Sequence, residues 1–276
     1  MIKILAYYCV LLTTLLGTAH AESTQLPAKI TIATDEWCPY ICDVTSDKPG
    51  YLVEVSKRVF RKLGTEPVFY PLGWQKSVDL VEKSQAQAII AASITNHGKT
   101  ILSKELIAID RTVLVVRKDQ LFDNDQVFNT LESLILGVIA NYTYDLNGPL
   151  DQYIAKRKSK NDRLVILNHY ASVKALLVML NRGSIDVFPE NYFVAHYMAS
   201  SMGVMDKVNM HSIDRHDHLY MAFSPDELGH TLRDAFDREV RLLKDSGALT
   251  SIMLSYGIEE HLTSHSDAPK LQTHKE

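Results

Sequence analysis

The chain has 276 residues, of which 46% are hydrophobic, so it is long and apolar enough for one or two packed domains. Its 29 basic and 33 acidic residues nearly balance, and the most compact basic run is KRKSK at 156–160. A solvated helix end explains that run, so the charge pattern argues against nucleic acid as a partner.

The N-terminus has the layout of a secretory signal peptide. Lys3 precedes an apolar run at 4–16, and the small residues of TAHA at 18–21 fit a cleavage site. The run is too short to span a bilayer. Cys9 lies inside the run, whereas a bacterial lipoprotein signal places its lipidated cysteine at the end. We therefore expect an exported, periplasmic, unanchored protein that starts near Glu22.

Export leaves Cys38 and Cys42 as the cysteines of the expected mature chain. In an oxidising compartment an even pair usually closes into a disulfide, and we expect one here. A C-x3-C pair can also be half of a metal site, but no nearby histidine completes a set of four ligands. The sequence therefore predicts a disulfide, and neither a metal nor another cofactor.

Strand and helix patterns alternate along the chain, which is typical of a mostly parallel sheet covered by helices. The first elements are a strand from 29, a helix that stops at Gly64, the strand PVFY, a helix at 74–83, the strand AIIAA at 88–92 and a strand at 111–118. Polar loops follow two of these strands. In open α/β sheets, ligand sites lie at the carboxyl ends of strands. The first candidates are Asp35, Glu36, Trp37 and Tyr40, with 93–100 as a second segment.

The pattern restarts after a turn-rich segment at 117–122, where we expect the chain to cross into a second unit. That unit contains ILGVIA, the loop NYTYDLNG, a helix from 149, RLVIL, a helix at 171–182, IDVF, a helix at 191–202 and the short strand VNMHS. A charged segment at 212–218 is the expected return crossing. LYMAFS, a helix at 226–245 and a last helix to 257 then complete the first unit.

Two crossings predict two lobes that close around a ligand on paired hinges. The first lobe is discontinuous and consists of 22–117 and 219–262, whereas 118–218 form the second lobe. Residues 263–276 are polar and lack periodicity, so we expect a disordered tail.

Short strings recur in a characteristic order and spacing. They are ATD at 33–35, PY at 39–40, GYLVEV at 50–55, GW at 73–74, SIT at 93–95, LGV at 136–138, GSIDV at 183–187, LLKDSG at 242–247 and YGI at 256–258. Together they resemble the bacterial periplasmic solute-binding proteins of family 3, known for polar amino acid uptake with ABC transporters. The resemblance implies the two-lobed, type II periplasmic-binding-protein fold, with the ligand held between the lobes.

Carried over position by position, the resemblance implies a site built by loops of both lobes. Its residues are Asp35, Trp37, Tyr40, Trp74, Ser93, Thr95, Asn141, Thr143 and Glu190. Tyr142 and Tyr144 add rings that could form apolar walls, although core packing is as common a role for any single ring.

The chain departs from the family at one position. Members that bind α-amino acids usually carry an arginine shortly after the Ser-x-Thr threonine, whereas this chain reads TNHGK at 95–99. Lys99 is the candidate substitute for this arginine in the ligand site, although as a point charge it is weaker and does not reproduce the bidentate contact to a carboxylate. Glu190 keeps a carboxylate where the family holds an amino group, its alternative role being a helix N-terminal charge. We therefore expect a small, polar, amine-bearing ligand, with cation–π contacts to the rings.

Other functions are compatible with parts of the sequence. Dehydratases share the fold, but no acid–base constellation can be assigned, so we expect a binding protein and not an enzyme. His211, His216 and His218 with Asp214 and Asp217 suggest a metal site, yet a solvated crossing explains them more simply. A sensory receptor would use the same closing cleft. We expect a monomer whose partner is an ABC transporter permease or a membrane sensor.

Overall fold

The computed structural model describes residues 26–160, 162–168 and 172–259. The expected signal peptide and the predicted tail at 263–276 lie outside the described residues. Within the described part, no helix combines the length and the apolar character needed to cross a bilayer.

Nine strands and eight α-helices alternate along the described residues. The strands are Lys29–Thr34 (β1), Glu66–Pro71 (β2), Ala88–Ala92 (β3), Ile101–Leu102 (β4), Ala108–Arg117 (β5), Leu136–Ile139 (β6), Leu164–Leu167 (β7), Val187–Asn191 (β8) and Val208–Phe223 (β9). The helices are Tyr51–Lys62 (α1), Trp74–Glu82 (α2), Val127–Leu131 (α3), Pro149–Lys160 (α4), Ser172–Asn181 (α5), Tyr192–Ser201 (α6), Glu227–Asp245 (α7) and Ala248–Ser255 (α8). The predicted α/β class is confirmed.

All strands join one sheet in the order β2-β1-β3-β9-β5-β8-β6-β7, with β4 paired to β9. β1 runs parallel to β2 and β3, and β6 runs parallel to β7 and β8. Between these two groups lie β5 and β9, which are antiparallel to each other and to their other neighbours. The sheet therefore has two halves of parallel strands joined by two long antiparallel strands.

The long strand β9 corrects the sequence interpretation of 208–223. A short strand, a charged crossing and a second strand were predicted, but the structure has one strand of 16 residues. Its pairing with β5 extends from Val208 to Leu219. The register of this pairing shifts between Arg111 and Val113 of β5, where the strands form a bulge or a similar irregularity. Charged residues continue a strand here because the ladder to β5 satisfies the backbone.

Strand pairing also bears on the predicted first crossing at 117–122. Residues 112–116 of β5 already pair with β8, so this strand enters the second half of the sheet before Thr112. The β9 strand reaches the first half at Tyr220, opposite Ala92 of β3. The passage between the halves therefore occurs within the paired strands β5 and β9.

The histidines on β9 do not form the metal site that the sequence suggested. The ring of His211 stacks on Phe122 with centroids 4.7 Å apart. Among the described residues, no group of three or more histidine, cysteine, aspartate or glutamate side chains is arranged to hold a metal ion.

Helix α1 shows why the first half packs as predicted. Leu52, Val55, Val59 and Phe60 recur on one face and are buried. Phe60 stacks on Phe236 of α7 with centroids 5.8 Å apart. The start of α1 contacts the loop that follows β1, since the Tyr51 amide donates to the Pro39 carbonyl at 2.9 Å.

Candidate functional site

The loop that follows β1 is held in one shape by several local contacts. Cys38 and Cys42 form the predicted disulfide. Inside the loop, the Trp37 amide donates to the Ile41 carbonyl at 2.7 Å. Gly50, with φ of 105°, packs so closely that a Cβ atom would lie 2.6 Å from the Tyr40 carbonyl oxygen. The loop is therefore a rigid support for the side chains it presents.

Trp37 forms a wall, and Tyr40 supports it from behind. The two rings stack with centroids 4.7 Å apart. Tyr40 is fully buried, and its hydroxyl donates to the Ile109 carbonyl on β5 at 3.3 Å. Tyr40, predicted as a ligand contact, thus lies in the core and holds Trp37 in place.

A cavity of about 60 Å³, named here the inner chamber, lies at the carboxyl ends of β1 and β3 and against β5 and β9. Its lining residues are Asp35, Trp37, Ile41, Trp74, Ile90, Ala91, Ser93, Asn96, Asp110, Tyr142, Thr143, Asp217 and Leu219. All of these side chains are buried or half-buried. The two halves of the sheet both contribute to the chamber.

Acidic groups dominate the polar lining of the inner chamber. Asp35, Asp110 and Asp217 line it, and none of the described lining residues is a lysine or an arginine. Asp110 and Asp217 lie opposite each other on β5 and β9. Asp110 also accepts a hydrogen bond from the side-chain amide of Asn191 at 2.8 Å.

Burial shifts the protonation of two of these carboxyl groups. It raises the pKa of Asp35 to about 6, although hydrogen bonds from the Tyr142 hydroxyl and backbone amides favour the anion. Burial likewise raises the pKa of Asp217 to about 6, against a hydrogen bond from Ser93. Near neutral pH both groups are mostly charged, and a cation in the chamber would compensate that charge.

Two hydrogen bonds join the halves of the sheet across the chamber. The Tyr142 hydroxyl, from the loop after β6, donates to Asp35 Oδ2 at 2.9 Å. The Trp37 indole donates to Glu190 Oε1 on β8, also at 2.9 Å. Both bonds are possible only when the halves are close together.

Glu190 lies behind Trp37 and is not part of the chamber lining. The side chain is 2% exposed, and its Oε1 also accepts from the Asn191 amide at 2.8 Å. Its Oε2 has no hydrogen-bond partner among the described residues. Burial raises the pKa of Glu190 to about 8, so the group is mostly protonated at neutral pH. Asn191, whose side chain accepts from two amides of α6, caps the following helix.

A second cavity, named here the outer chamber, adjoins the first and has a volume of about 200 Å³. It shares Asp35, Trp74 and Tyr142 with the inner chamber, and these three shared residues, named here the neck, lie where the two chambers adjoin. Its other lining residues are Gly73, Gln75, Lys76, Ile139, Ala140, Asn141 and Asn168. Four of those, Gln75, Lys76, Asn141 and Asn168, are exposed, so this chamber forms the mouth of the site.

The structure gathers most of the predicted ligand residues around these chambers. Those that line the inner chamber are Asp35, Trp37, Trp74, Ser93, Tyr142 and Thr143, and Asn141 lines the outer one. Thr95 and Lys99 are exposed and line neither chamber. The Thr95 hydroxyl is 3.3 Å from that of Ser93, and the Lys99 amide donates to Glu82 at 2.6 Å. Tyr144 is buried and supports the loop from behind, since its hydroxyl accepts a hydrogen bond from the Ile139 amide at 2.8 Å.

The sequence analysis did not name Asp110, which precedes the predicted strand at 111–118, and it considered Asp217 only as a metal ligand within the predicted crossing at 212–218. Each of the two is followed within a few residues by buried apolar positions of the same strand. An acid inside a strand pattern is a signal of a polar site in the sheet, but the pairing of β5 with β9 is what brings the two together.

No protein-family description and no curated protein matches the sequence. Solved structures do match. A histidine kinase sensor domain similar to periplasmic binding proteins is 15% identical, with a TM-score of 0.68, covering 83% of this chain and 95% of that one. A substrate-binding protein of an ABC uptake transporter from Streptococcus pneumoniae, with bound histidine, is 17% identical, with a TM-score of 0.69 and coverages of 86% and 95%.

A third structure is an ancestral amino-acid-binding protein that preceded cyclohexadienyl dehydratase. It is 16% identical, with a TM-score of 0.64, covering 83% of this chain and 95% of that one. At sequence identities of 15–17%, the similarity to these structures shows a shared fold alone. The chain therefore has the α/β fold shared by substrate-binding proteins of amino acid ABC transporters and by a sensor domain similar to periplasmic binding proteins.

Proposed function

We propose that this chain is an extracytoplasmic solute-binding protein that holds the ammonium group of a small ligand in the inner chamber and delivers the ligand to an ABC transporter. The fold it shares with the S. pneumoniae substrate-binding protein supports this function, as does the expected signal peptide. We propose that it works as a monomer in the periplasm and releases its ligand chemically unchanged.

The residues that line the inner chamber support an amine as the ligand. Three carboxyl groups and the rings of Trp37, Trp74 and Tyr142 line the chamber without a lysine or arginine among the described lining residues. A carboxylate ligand would meet like charges there, whereas an ammonium group gains charge-assisted hydrogen bonds worth about 1.5–3 kcal/mol each. Ring faces add attraction for a cation. Asp35 and Asp217 are the proposed partners of the ammonium group.

Closure of two lobes is the proposed way in which the ligand enters and leaves. The proposed division is 22–117 with 219–262 against 118–218, and the pairing of β5 with β8 supports moving the first boundary to before Thr112. The residues that line the inner chamber are buried or half-buried, so we propose that the lobes part to admit a ligand. Hinge motion within β5 and β9 would provide that opening.

A sensory role is the second candidate, in which the closed form signals to a membrane partner. The observation that favours it is the likeness to a histidine kinase sensor domain, which covers 95% of that chain. The two candidates share the ligand site and differ in the partner that recognises closure.

A thermal shift screen tests the proposed ligand class. The panel contains primary amines, α-amino acids, oligopeptides and organic acids, and calorimetry measures the affinity of each compound that shifts the melting temperature. We expect amines to bind, and Asp217→Asn to weaken them at least tenfold, since the variant loses a charged partner. Asp234→Asn, an exposed carboxylate on α7, is the matched control.

Binding of organic acids without any effect of amines would contradict the proposed ligand class. Mass spectrometry of the bound compound after release checks the proposal that no chemical change occurs.

A further inference from the structure

The inner chamber is too small for a whole metabolite. Its volume of about 60 Å³ accommodates an ammonium head group and little else. The rest of a larger ligand would extend past Asp35, Trp74 and Tyr142 into the outer chamber, because these three residues line both chambers.

Hydrogen bonds fix each of the three side chains of the neck. The Trp74 indole donates to Asn96 Oδ1 at 2.8 Å. Tyr142 donates to Asp35 Oδ2, and Asp35 Oδ1 accepts from the Glu36 amide at 2.8 Å. Trp74 and Tyr142 thus present fixed rings along the passage, which suit a chain of methylene groups.

The charged residues that line the outer chamber differ from those of the inner chamber. Asp35 is the one acid among the described residues of the outer chamber, and Lys76 is its cation. Gln75, Asn141 and Asn168 add amide groups that can donate hydrogen bonds. Lys76 forms no ion pair with the described residues, so its ammonium group remains available to a ligand.

We propose that the outer chamber is a second subsite for an anionic group, and that the ligand is an elongated zwitterion with an inward ammonium and an outward carboxylate near Lys76. This inference rests on the proposed function for its inward half. A free α-amino acid fits poorly, because its carboxylate is attached next to the ammonium and would enter the acidic chamber. An amine separated from its carboxylate by several methylene groups fits both chambers.

Calorimetry with matched pairs of compounds tests the second subsite. Each ω-amino carboxylate of four to six carbons is compared with the straight-chain primary amine of the same length. We expect the carboxylate of the best-fitting length to improve the dissociation constant about five- to tenfold, which is the scale of one charge-assisted contact at a wet site. Because Lys76 is exposed, the gain should shrink at high salt.

Lys76→Gln removes the charge and keeps the length of the side chain. We expect this variant to lose the gain from the carboxylate while it binds the plain amine as the wild type does. Lys83→Gln, at another exposed lysine next to α2 that lines neither chamber, is the matched control and should keep the gain.

The outcomes separate the inference from the proposed function. If the amines bind but the carboxylate adds nothing, or if Lys76→Gln keeps the gain, the second subsite is rejected and the amine site stands. If neither amines nor ω-amino carboxylates bind to the wild type, both the amine site and the subsite are rejected.

Discussion

At the scale of single residues, burial decides the chemistry of this site more than residue type does. Lys99 was the sequence candidate to replace a missing arginine, but it is exposed and lies outside both chambers. Glu190 was the candidate partner of an amino group, but its carboxyl group accepts a hydrogen bond from Trp37 and is shielded by that ring. Asp35 and Asp217, in contrast, face the chamber directly.

Replacing Glu190 by glutamine should change how stability depends on pH. Burial raises the pKa of Glu190 to about 8, so the folded protein binds a proton that the unfolded chain releases above about 4.5. The wild type should therefore lose stability as pH rises through this range up to about 8. Glu190→Gln retains an acceptor for Trp37 and carries no charge, so it should lose less stability between pH 6 and pH 9.

Urea unfolding at pH 6 and pH 9 measures the difference, which we expect to be on the order of a few kcal/mol at the higher pH. Glu132→Gln, at an exposed glutamate in the same half, is the control and should follow the wild type. Parallel curves for Glu190→Gln and the wild type would show that Glu190 is not a buried titrating group.

At the scale of elements, the loop after β1 and the strand pair β5–β9 shape the site. The loop could be predicted in part, because its cysteines, glycine and aromatic residues are local signals. The strand pair could not, since a charged run such as IDRHDH has the composition of a solvated segment. Its strand conformation depends on a partner that lies about a hundred residues away in the sequence.

Removing the disulfide should loosen the wall that carries Trp37. The Cys38–Cys42 bridge closes a loop with a sequence separation of 4, and loop-closure entropy gives about 2 kcal/mol for so short a loop. Cys38→Ser combined with Cys42→Ser should lower the free energy of unfolding by about that amount and weaken amine binding. Urea unfolding and calorimetry measure the two effects.

Intact-mass measurement checks the bond itself. The oxidised wild type should be lighter by two hydrogens than the reduced form and should resist alkylation until it is reduced. Rapid alkylation of both thiols in the untreated native protein would contradict the bridge.

At the scale of the whole molecule, the two halves of the sheet meet at the chamber through the bonds from Tyr142 to Asp35 and from Trp37 to Glu190. Each bond joins residues more than a hundred positions apart in sequence. The proposed ligand would add contacts from both halves, so binding should favour the closed arrangement over open ones.

Distances between spin labels test this closure. Labels at Lys83→Cys and Lys158→Cys, both exposed, report on the separation of the halves. A saturating amine from the thermal shift screen should shorten and narrow this distance distribution. A pair within the first half, Lys83→Cys and Arg238→Cys, should stay unchanged. An unaltered distribution for the cross-half pair at saturation would rule out ligand-driven closure.

The sequence by itself determined the local elements and the side chains that the first loop offers. Helical periodicity identified α1, apolar and β-branched runs identified most of the strands, and the cysteine pair identified the disulfide, since each depends on neighbours within a few residues. Only the tertiary structure decided which side chains share a chamber. The pairing of β5 with β9 brings Asp110 and Asp217 together, and packing places Glu190 behind Trp37. Such contacts depend on the meeting of distant segments, which residue spacing does not encode.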